Sequence, residues 1–203
     1  MNALATSIVW IGYIVSLYFS VFLFLVYLDK RSLFQSSPST TTVRRYPLVT
    51  ILVPAYNEEK TILKTLESIS ALDYPKDKLQ VIVINDGSKD RTEQIVQEYI
   101  NDKSYFQLLS HSNQGKAASL NMGLKIAKGE FFACLDADSF VDSKTLRKMI
   151  ALYDDKNDDR LAIITPAMKV DQPRNILQKI QWLEYIVIIL IARLVSYLDS
   201  LYV

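Results

Sequence analysis

Cysteine, histidine and glycine are scarce in this chain of 203 residues, which has one cysteine, one histidine and five glycines. A single cysteine, Cys134, excludes a disulfide within the chain, so the fold is compatible with a reducing compartment. With His111 as the only imidazole, a zinc site of the Cys/His type is not expected. The net charge is +1, which gives no indication of a nucleic acid or an acidic partner.

Charge is also absent from a long stretch near the N-terminus. Residues 4–28 contain no charged side chain, and as a helix they would extend about 37 Å, enough to cross a hydrocarbon core of about 30 Å. The stretch is too long for a signal peptide and has no small-residue cleavage site, which favours a retained transmembrane helix over 1–28. Basic residues follow it, so the positive-inside rule predicts a cell-membrane protein with its N-terminus outside and the remainder in the cytoplasm.

The rest of the chain is predicted to form a linker and one domain. Residues 29–47 are rich in hydroxyl side chains and predict a flexible cytoplasmic linker. From residue 48 to 203, strand and helix patterns alternate, which predicts an α/β domain with a mostly parallel sheet flanked by helices. The predicted strands are 49–53, 79–84, 106–109, 131–135 and 161–165. Four helices are predicted in this domain. The first carries Ile62, Leu66 and Ile69 on one face, the second and third span 92–100 and 117–127, and the fourth runs from a cap at Ser143 to about Tyr153.

Several residues are expected to end these elements. Pro54 would stop the first strand, and Gly129 would cap the third helix at its C-terminus. The charged run 154–160 would be a solvated loop. In the tail, apolar residues recur at helical spacing over 176–199, but the unbroken apolar stretch 185–192 is too short to span a bilayer. This pattern leaves two alternatives open, namely a helix packed on the sheet or an amphipathic helix in the membrane interface.

Polar residues follow the predicted strands at the sheet edge where parallel α/β sheets bind ligands. After the first strand, residues 54–59 open a helix whose N–H groups, with Glu58, could bind a base or a ribose. After the second strand, Gly87 allows a tight turn that leaves the Asp86 carboxylate free to point into the crevice. Taken alone, these segments could equally be an ordinary helix cap and an ordinary Asp-Gly turn.

Asp136-Ala137-Asp138, after the fourth strand, is the strongest indication of chemistry. Residues i and i+2 of an extended chain point to the same side, so both carboxylates can face one cation. Hard carboxylate oxygens suit Mg²⁺ or Mn²⁺, which can bridge to ligand phosphates. Lys116 could lie against a diphosphate, although the segment is no P-loop and an exposed surface lysine is the alternative. Together these positions predict a nucleotide site.

Taken in order, four segments resemble the family 2 glycosyltransferases: Val53-Pro54-Ala55-Tyr56-Asn57-Glu58, Asn85-Asp86-Gly87-Ser88, Gly115-Lys116-Ala117-Ala118-Ser119-Leu120-Asn121 and Asp136-Ala137-Asp138. More narrowly, they resemble the N-terminal part of the membrane-bound processive branch, which includes cellulose, chitin, hyaluronan and poly-N-acetylglucosamine synthases. The resemblance implies a GT-A fold, a nucleotide-diphosphate sugar donor (usually a UDP-sugar) and Mg²⁺ or Mn²⁺. It implies sugar transfer with inversion to a glycan acceptor, in cell-surface polysaccharide synthesis.

The resemblance also assigns roles by motif. Ala55, Tyr56, Glu58 and Asp86 would hold the uridine, Lys116 would lie near the diphosphate, Asp136 would lie near the ribose and metal, and Asp138 would be the direct metal ligand. The implied partners are the nucleotide-sugar donor, the glycan acceptor and the membrane, with no nucleic acid.

Two later motifs of the family do not occur in the chain. One supplies the aspartate that acts as general base on the acceptor, and the other is Gln-x-x-Arg-Trp. The general base is therefore expected beyond Val203, and the chain would carry the donor half only. It would be a truncated reading frame or one piece of a split enzyme whose second chain carries the C-terminal half, and it could be inactive alone. The alternative is a non-catalytic, membrane-anchored nucleotide-sugar-binding protein.

Overall fold

The computed structural model describes residues 3–35, 43–156, 161–166, 168, 173 and 175–196. The chain divides into two compact units, one made of segments 1–40 and 162–203 and the other of 41–161. The helices are α1 (Ala3–Gln35), α2 (Ile62–Ser70), α3 (Thr92–Ile100), α4 (Lys116–Ile126), α5 (Thr145–Lys156) and α6 (Ile176–Ser196). The strands are β1 (Val49–Ala55), β2 (Leu79–Asp86), β3 (Phe106–His111) and β4 (Phe131–Cys134), and a short 3₁₀ turn (Lys76–Lys78) precedes β2.

The second unit contains a four-stranded, fully parallel sheet of order β3-β2-β1-β4. The predicted α/β fold is confirmed. β1 and β2 are central and buried on both faces, which explains why each is an almost continuous apolar run. On one face, the predicted stripe of α2 is fully buried in the main core: Ile62, Leu66 and Ile69. On the other face, α4 contacts β1 and β2 over a smaller apolar cluster.

The prediction that Pro54 ends the first strand is wrong. β1 continues to Ala55, and Pro54 lies opposite Ile84 of β2. The pairing between β1 and β4 ends at Leu52 and Cys134, so Pro54 lies where β1 has a neighbouring strand on one side only. A residue without a backbone N–H is tolerated at such a position.

The predicted fifth strand is wrong as well. Residues 161–166 have no regular secondary structure, and the Ile163 side chain is 71% exposed. An apolar, β-branched run favours an extended backbone, but it becomes a strand only where a neighbour supplies the other half of the hydrogen-bond ladder. The sheet described here does not pair with these residues.

Gly129 does not cap α4, which ends at Ile126 with Ala127 in an extended conformation. Gly129 instead lies against β1, where its N–H donates to Thr50 Oγ1 at 2.9 Å. A Cβ at this position would stand 2.5 Å from the Thr50 backbone nitrogen. The glycine is therefore explained by close backbone approach and not by helix termination.

α5 begins at Thr145, and the Asp142 carboxylate accepts the Lys144 N–H at 3.0 Å just before the helix. The end of α5 differs from the prediction, since the helix continues to Lys156. The charged run expected as a loop begins inside α5, where Asp154 pairs with Arg45 at 3.3 Å. Residues 157–160 of that run lie outside the described residues.

The other unit contains α1 and α6, which contact each other. Within α1, the segment Ala5–Asp29 has a mean hydropathy of 2.2 and is long and apolar enough to be a candidate membrane span. α6 forms the predicted helix up to Ser196, and residues 197–199 lie outside the described residues. Many of its apolar side chains are exposed, among them Ile176, Leu177, Ile180, Leu183, Val187 and Ile188.

Candidate functional site

A cleft of about 380 Å³ opens at the carboxyl ends of the strands. Every site residue predicted from the sequence lines it: Ala55, Tyr56, Glu58, Asp86, Lys116, Asp136 and Asp138. The remaining lining residues are Pro54, Asn113, Gly115, Ser119 and Ala137. The strand ends bring together segments that are far apart in the chain, as the rule for parallel α/β sheets predicts.

Asp86 is the last residue of β2, and only 6% of its side chain is exposed. Both carboxylate oxygens accept backbone N–H groups at the start of α4, Oδ1 from Gln114 at 2.7 Å and Oδ2 from Gly115 at 2.9 Å. Gly115 provides no side chain to cap this helix, so Asp86 caps it from a neighbouring strand. The carboxylate faces the cleft as predicted, but it is not free.

Gly87 makes the turn that the sequence predicted. Its φ is +69°, and a Cβ there would lie 2.7 Å from the Asn113 backbone nitrogen. The loop before α4 thus passes directly over the β2 turn. Because no other residue type adopts this φ at low cost while leaving that space empty, glycine is required.

The segment after β1 is bonded to the residues that follow β2. Its backbone N–H groups donate to side chains of the loop after β2 and of the first residue of α3: Asn57 to Ser88 Oγ at 3.0 Å, Glu58 to Thr92 Oγ1 at 2.8 Å and Glu59 to Asp90 Oδ2 at 3.1 Å. These three groups have partners within the chain, and the binding of a base or ribose by this segment stays a prediction. Asn57 adopts a left-handed φ of 56° that lets its side chain accept the Lys89 N–H at 2.8 Å.

Lys116 lies in the cleft and not on a remote surface. Its ammonium donates to Asp136 Oδ1 at 2.5 Å, and both side chains are about half exposed. This hydrogen bond raises the pKa of Lys116, so the cleft holds a firmly charged cation beside a carboxylate. Asp138, two residues on, accepts the Ser139 hydroxyl at 3.3 Å.

The aspartates set a limit on how a metal can bind. Among the residues that the structure describes, no group of three or more His, Cys, Asp or Glu side chains is placed to hold an ion. Asp136 and Asp138 supply two carboxylates to the same cleft. Mg²⁺ is commonly held by one or two carboxylates together with waters and substrate phosphates. The donor set therefore fits a Mg²⁺ or Mn²⁺ that a diphosphate helps to hold, and does not fit an ion enclosed by protein alone.

Three residues at this edge received no individual role from the sequence: His111, Asn113 and Ser119. His111 was weighed only as a zinc ligand, yet it ends β3 with 8% of its side chain exposed and lies 3.5 Å from Asp86. Its position at a carboxyl strand end was the available signal. That signal was weak because β3 is a short strand and was predicted to end at residue 109.

The parallel sheet, the helices on both faces and the acidic cleft at the carboxyl strand ends define an α/β domain of the GT-A type. Residues 50–192 match the model of glycosyl transferase family 2, and the chain belongs to that family. The resemblance predicted from the motifs is thereby confirmed.

Curated relatives and solved structures agree with this assignment. A poly-beta-1,6-N-acetyl-D-glucosamine synthase of Staphylococcus aureus (strain COL) is 36% identical over 137 residues, which cover 68% of this chain and 32% of the synthase. The chain thus spans about a third of the length of the curated relatives it matches.

Two solved structures show the same fold. S. aureus TarS 1–349 in complex with UDP-GlcNAc has a TM-score of 0.52 and 30% identity, covering 61% of this chain and 38% of that one. The mannosyltransferase PcManGT of Pyrobaculum calidifontis, in complex with GDP-Man and Mn²⁺, has a TM-score of 0.58 and 29% identity. The match covers 79% of this chain and 46% of that one.

Proposed function

We propose that the cleft binds the nucleotide-sugar donor of a membrane-anchored glycosyltransferase that acts in cell-surface polysaccharide synthesis. The observation that carries this proposal is the convergence of every predicted donor-site residue in one cleft. The complex of TarS with UDP-GlcNAc supports a UDP-sugar as donor. Transfer with inversion to a glycan acceptor belongs, in this proposal, to the whole protein and not to the donor cleft alone.

The predicted residues that line the cleft are placed so that each can bind one part of the donor. Tyr56 keeps an exposed ring at the rim, where it can stack on the uracil beside Ala55 and Glu58. Asp86 fixes the floor of the uridine site through its bonds to the start of α4. Lys116 already has a carboxylate partner, and a phosphate oxygen of the donor can replace Asp136 in that bond.

Asp136 and Asp138 would hold the Mg²⁺ or Mn²⁺. Release of Asp136 from Lys116 frees a carboxylate for the ion, while Asp138 has only a hydroxyl partner to give up. When bound, the ion supplies Lewis-acid stabilisation of the negative charge that develops on the departing diphosphate. The Mn²⁺ in the complex of the mannosyltransferase PcManGT supports this assignment.

The membrane is the remaining partner. α1 would anchor the chain with its N-terminus outside and the donor cleft in the cytoplasm, where nucleotide sugars are made. The exposed apolar side chains of α6 suit a helix that lies in the membrane interface. A second chain that carries the acceptor half would complete the enzyme if the two halves are separate.

The test is calorimetric titration of UDP into the detergent-solubilised chain, with and without Mn²⁺. We expect Mn²⁺ to strengthen UDP binding at least tenfold, and Asp138→Asn to remove this gain because one of two carboxylate ligands is lost. Asp77→Asn, an exposed aspartate in the 3₁₀ turn outside the cleft, is the matched control and should bind like the wild type.

Two results would change the proposal. A folded chain that binds no UDP under either condition contradicts a donor site in this cleft. Metal-dependent UDP binding without sugar transfer to any glycan by the isolated chain would favour the non-catalytic alternative or a donor half that needs a partner.

A further inference from the structure

His111 is a buried imidazole for which the proposed donor chemistry has no use. Its Nδ1 lies 2.7 Å from the Ser112 carbonyl oxygen and 3.5 Å from Asp86 Oδ1, and its Nε2 lies 3.1 Å from Ser119 Oγ. A carbonyl oxygen only accepts hydrogen bonds, so Nδ1 must carry a proton and donate to Ser112. Nε2 lies within hydrogen-bonding distance of the Ser119 hydroxyl, which also lies 3.3 Å from the Gly115 carbonyl oxygen.

These contacts hold the loop 112–115 at its start. Asp86 holds the same loop at its end, through the two backbone N–H groups that precede α4. Two buried side chains from neighbouring strands thus fix a four-residue loop, and Lys116 is the next residue along the chain. The same loop passes directly over Gly87, where an added Cβ would lie 2.7 Å from the Asn113 backbone nitrogen.

We propose that His111 is a positioning residue for donor binding. By donating from Nδ1 to the Ser112 carbonyl, it keeps the loop 112–115 in the conformation in which Asp86 caps α4 and Lys116 faces the diphosphate. The proposal rests on the proposed function for its ligand, but the loop contact can be measured without any ligand.

Two conservative variants distinguish the contact made by Nδ1 from the contact made by Nε2. In His111→Asn the amide N–H can occupy the position of Nδ1 and still donate to Ser112, whereas the contact to Ser119 is lost. In His111→Gln the longer amide can reach the position of Nε2, and the donation to Ser112 is lost. Gln107→Asn, at an exposed position of the same strand, is the control for general effects on β3.

The experiment measures UDP affinity with Mn²⁺ by calorimetry on the full chain in detergent, and backbone hydrogen exchange of Gln114 and Gly115 on the same samples. We expect His111→Gln to weaken UDP binding about tenfold, the cost of one hydrogen bond, and to speed exchange of both amides. His111→Asn should stay within about twofold of the wild type in both measurements, because it rescues the Nδ1 contact.

Three outcomes decide between the explanations. Equal losses of affinity in both variants, with matching losses of thermal stability, would mean that His111 only fills space and would overturn the proposal. Wild-type affinity and wild-type exchange in His111→Gln would overturn it too. If the wild-type chain binds no UDP, the donor-site proposal fails, while faster exchange in His111→Gln but not in His111→Asn still supports the positioning role.

Discussion

At the scale of single residues, Gly87 decides whether the loops at the sheet edge can meet. Gly87→Ala adds a methyl group 2.7 Å from a backbone nitrogen at a φ of +69°, and we expect a loss of about 3 kcal/mol in the free energy of unfolding. Urea unfolding measures this loss. A loss no larger than the roughly 1–2 kcal/mol that a left-handed backbone costs by itself would contradict the close approach.

The site residues differ in how far the sequence alone predicts their positions and contacts. Asp86, Asp136 and Asp138 could be predicted because polar residues after apolar strands mark the binding edge of a parallel sheet, and Lys116 because it opens a helix in a family motif. Their partners could not, because the bond from Asp86 to the start of α4 joins residues that are distant in the chain. The contact of His111 with Asp86 was hidden for the same reason.

At the scale of secondary-structure elements, α2 shows that helical periodicity identifies the buried face. Leu66 is fully buried against the sheet, whereas Leu63 in the same helix is exposed. Leu66→Ala should therefore lower the free energy of unfolding by about 3 kcal/mol, since it leaves a cavity in the core. Leu63→Ala should change it by less than about 0.5 kcal/mol, and similar losses in the two variants would argue against the buried face.

Tyr74 ties the segment after α2 to the residues before β1. Its hydroxyl donates to the Pro47 carbonyl at 2.7 Å, and burial raises its pKa to about 12, with a further contribution from Tyr46. The neutral phenol is therefore favoured in the folded chain, and the ordinary pKa of about 10 applies when it is unfolded. This stabilisation is complete below about pH 10 and is lost as the pH rises toward about 12.

Unfolding measured from pH 8 to 11.5 tests this dependence. Tyr74→Phe should cost about 1 kcal/mol at pH 8 through the lost hydrogen bond, and should flatten the decline in stability above pH 10. Tyr46→Phe, at an exposed position next to it, should leave the decline in place. If stability still declines above pH 10 in Tyr74→Phe, a group other than Tyr74 causes the decline.

The elements also show where local patterns mislead. A proline usually ends a strand. At Pro54, however, β1 pairs only with β2, because its pairing with β4 ends at Leu52, and the strand continues. Residues 161–165 have the composition of a strand and no partner in the described sheet. In both cases pairing with other strands, which is not encoded locally, overrides the preference of the residues themselves.

At the scale of the whole molecule, the proposed orientation can be tested with the only cysteine. Cys134 is exposed in the domain assigned to the cytoplasm. A membrane-impermeant maleimide should leave it unlabelled in intact cells and label it once the membrane is opened. Asn2→Cys in a Cys134→Ser background should be labelled in intact cells, since the N-terminus is proposed to lie outside. The opposite pattern would reverse the orientation.

The sequence by itself determined the family, the parallel α/β sheet, the candidate membrane span and the predicted residues that line the cleft. It could do so because strand and helix periodicity, apolar length and the acids after strands are local properties of the chain. The tertiary structure alone decided that Asp86 caps α4, that the N–H groups of residues 57–59 bind the loop after β2 and the first residue of α3, and that His111 lies beside Asp86. Those contacts join segments distant in the chain, and only the folded sheet brings them close together.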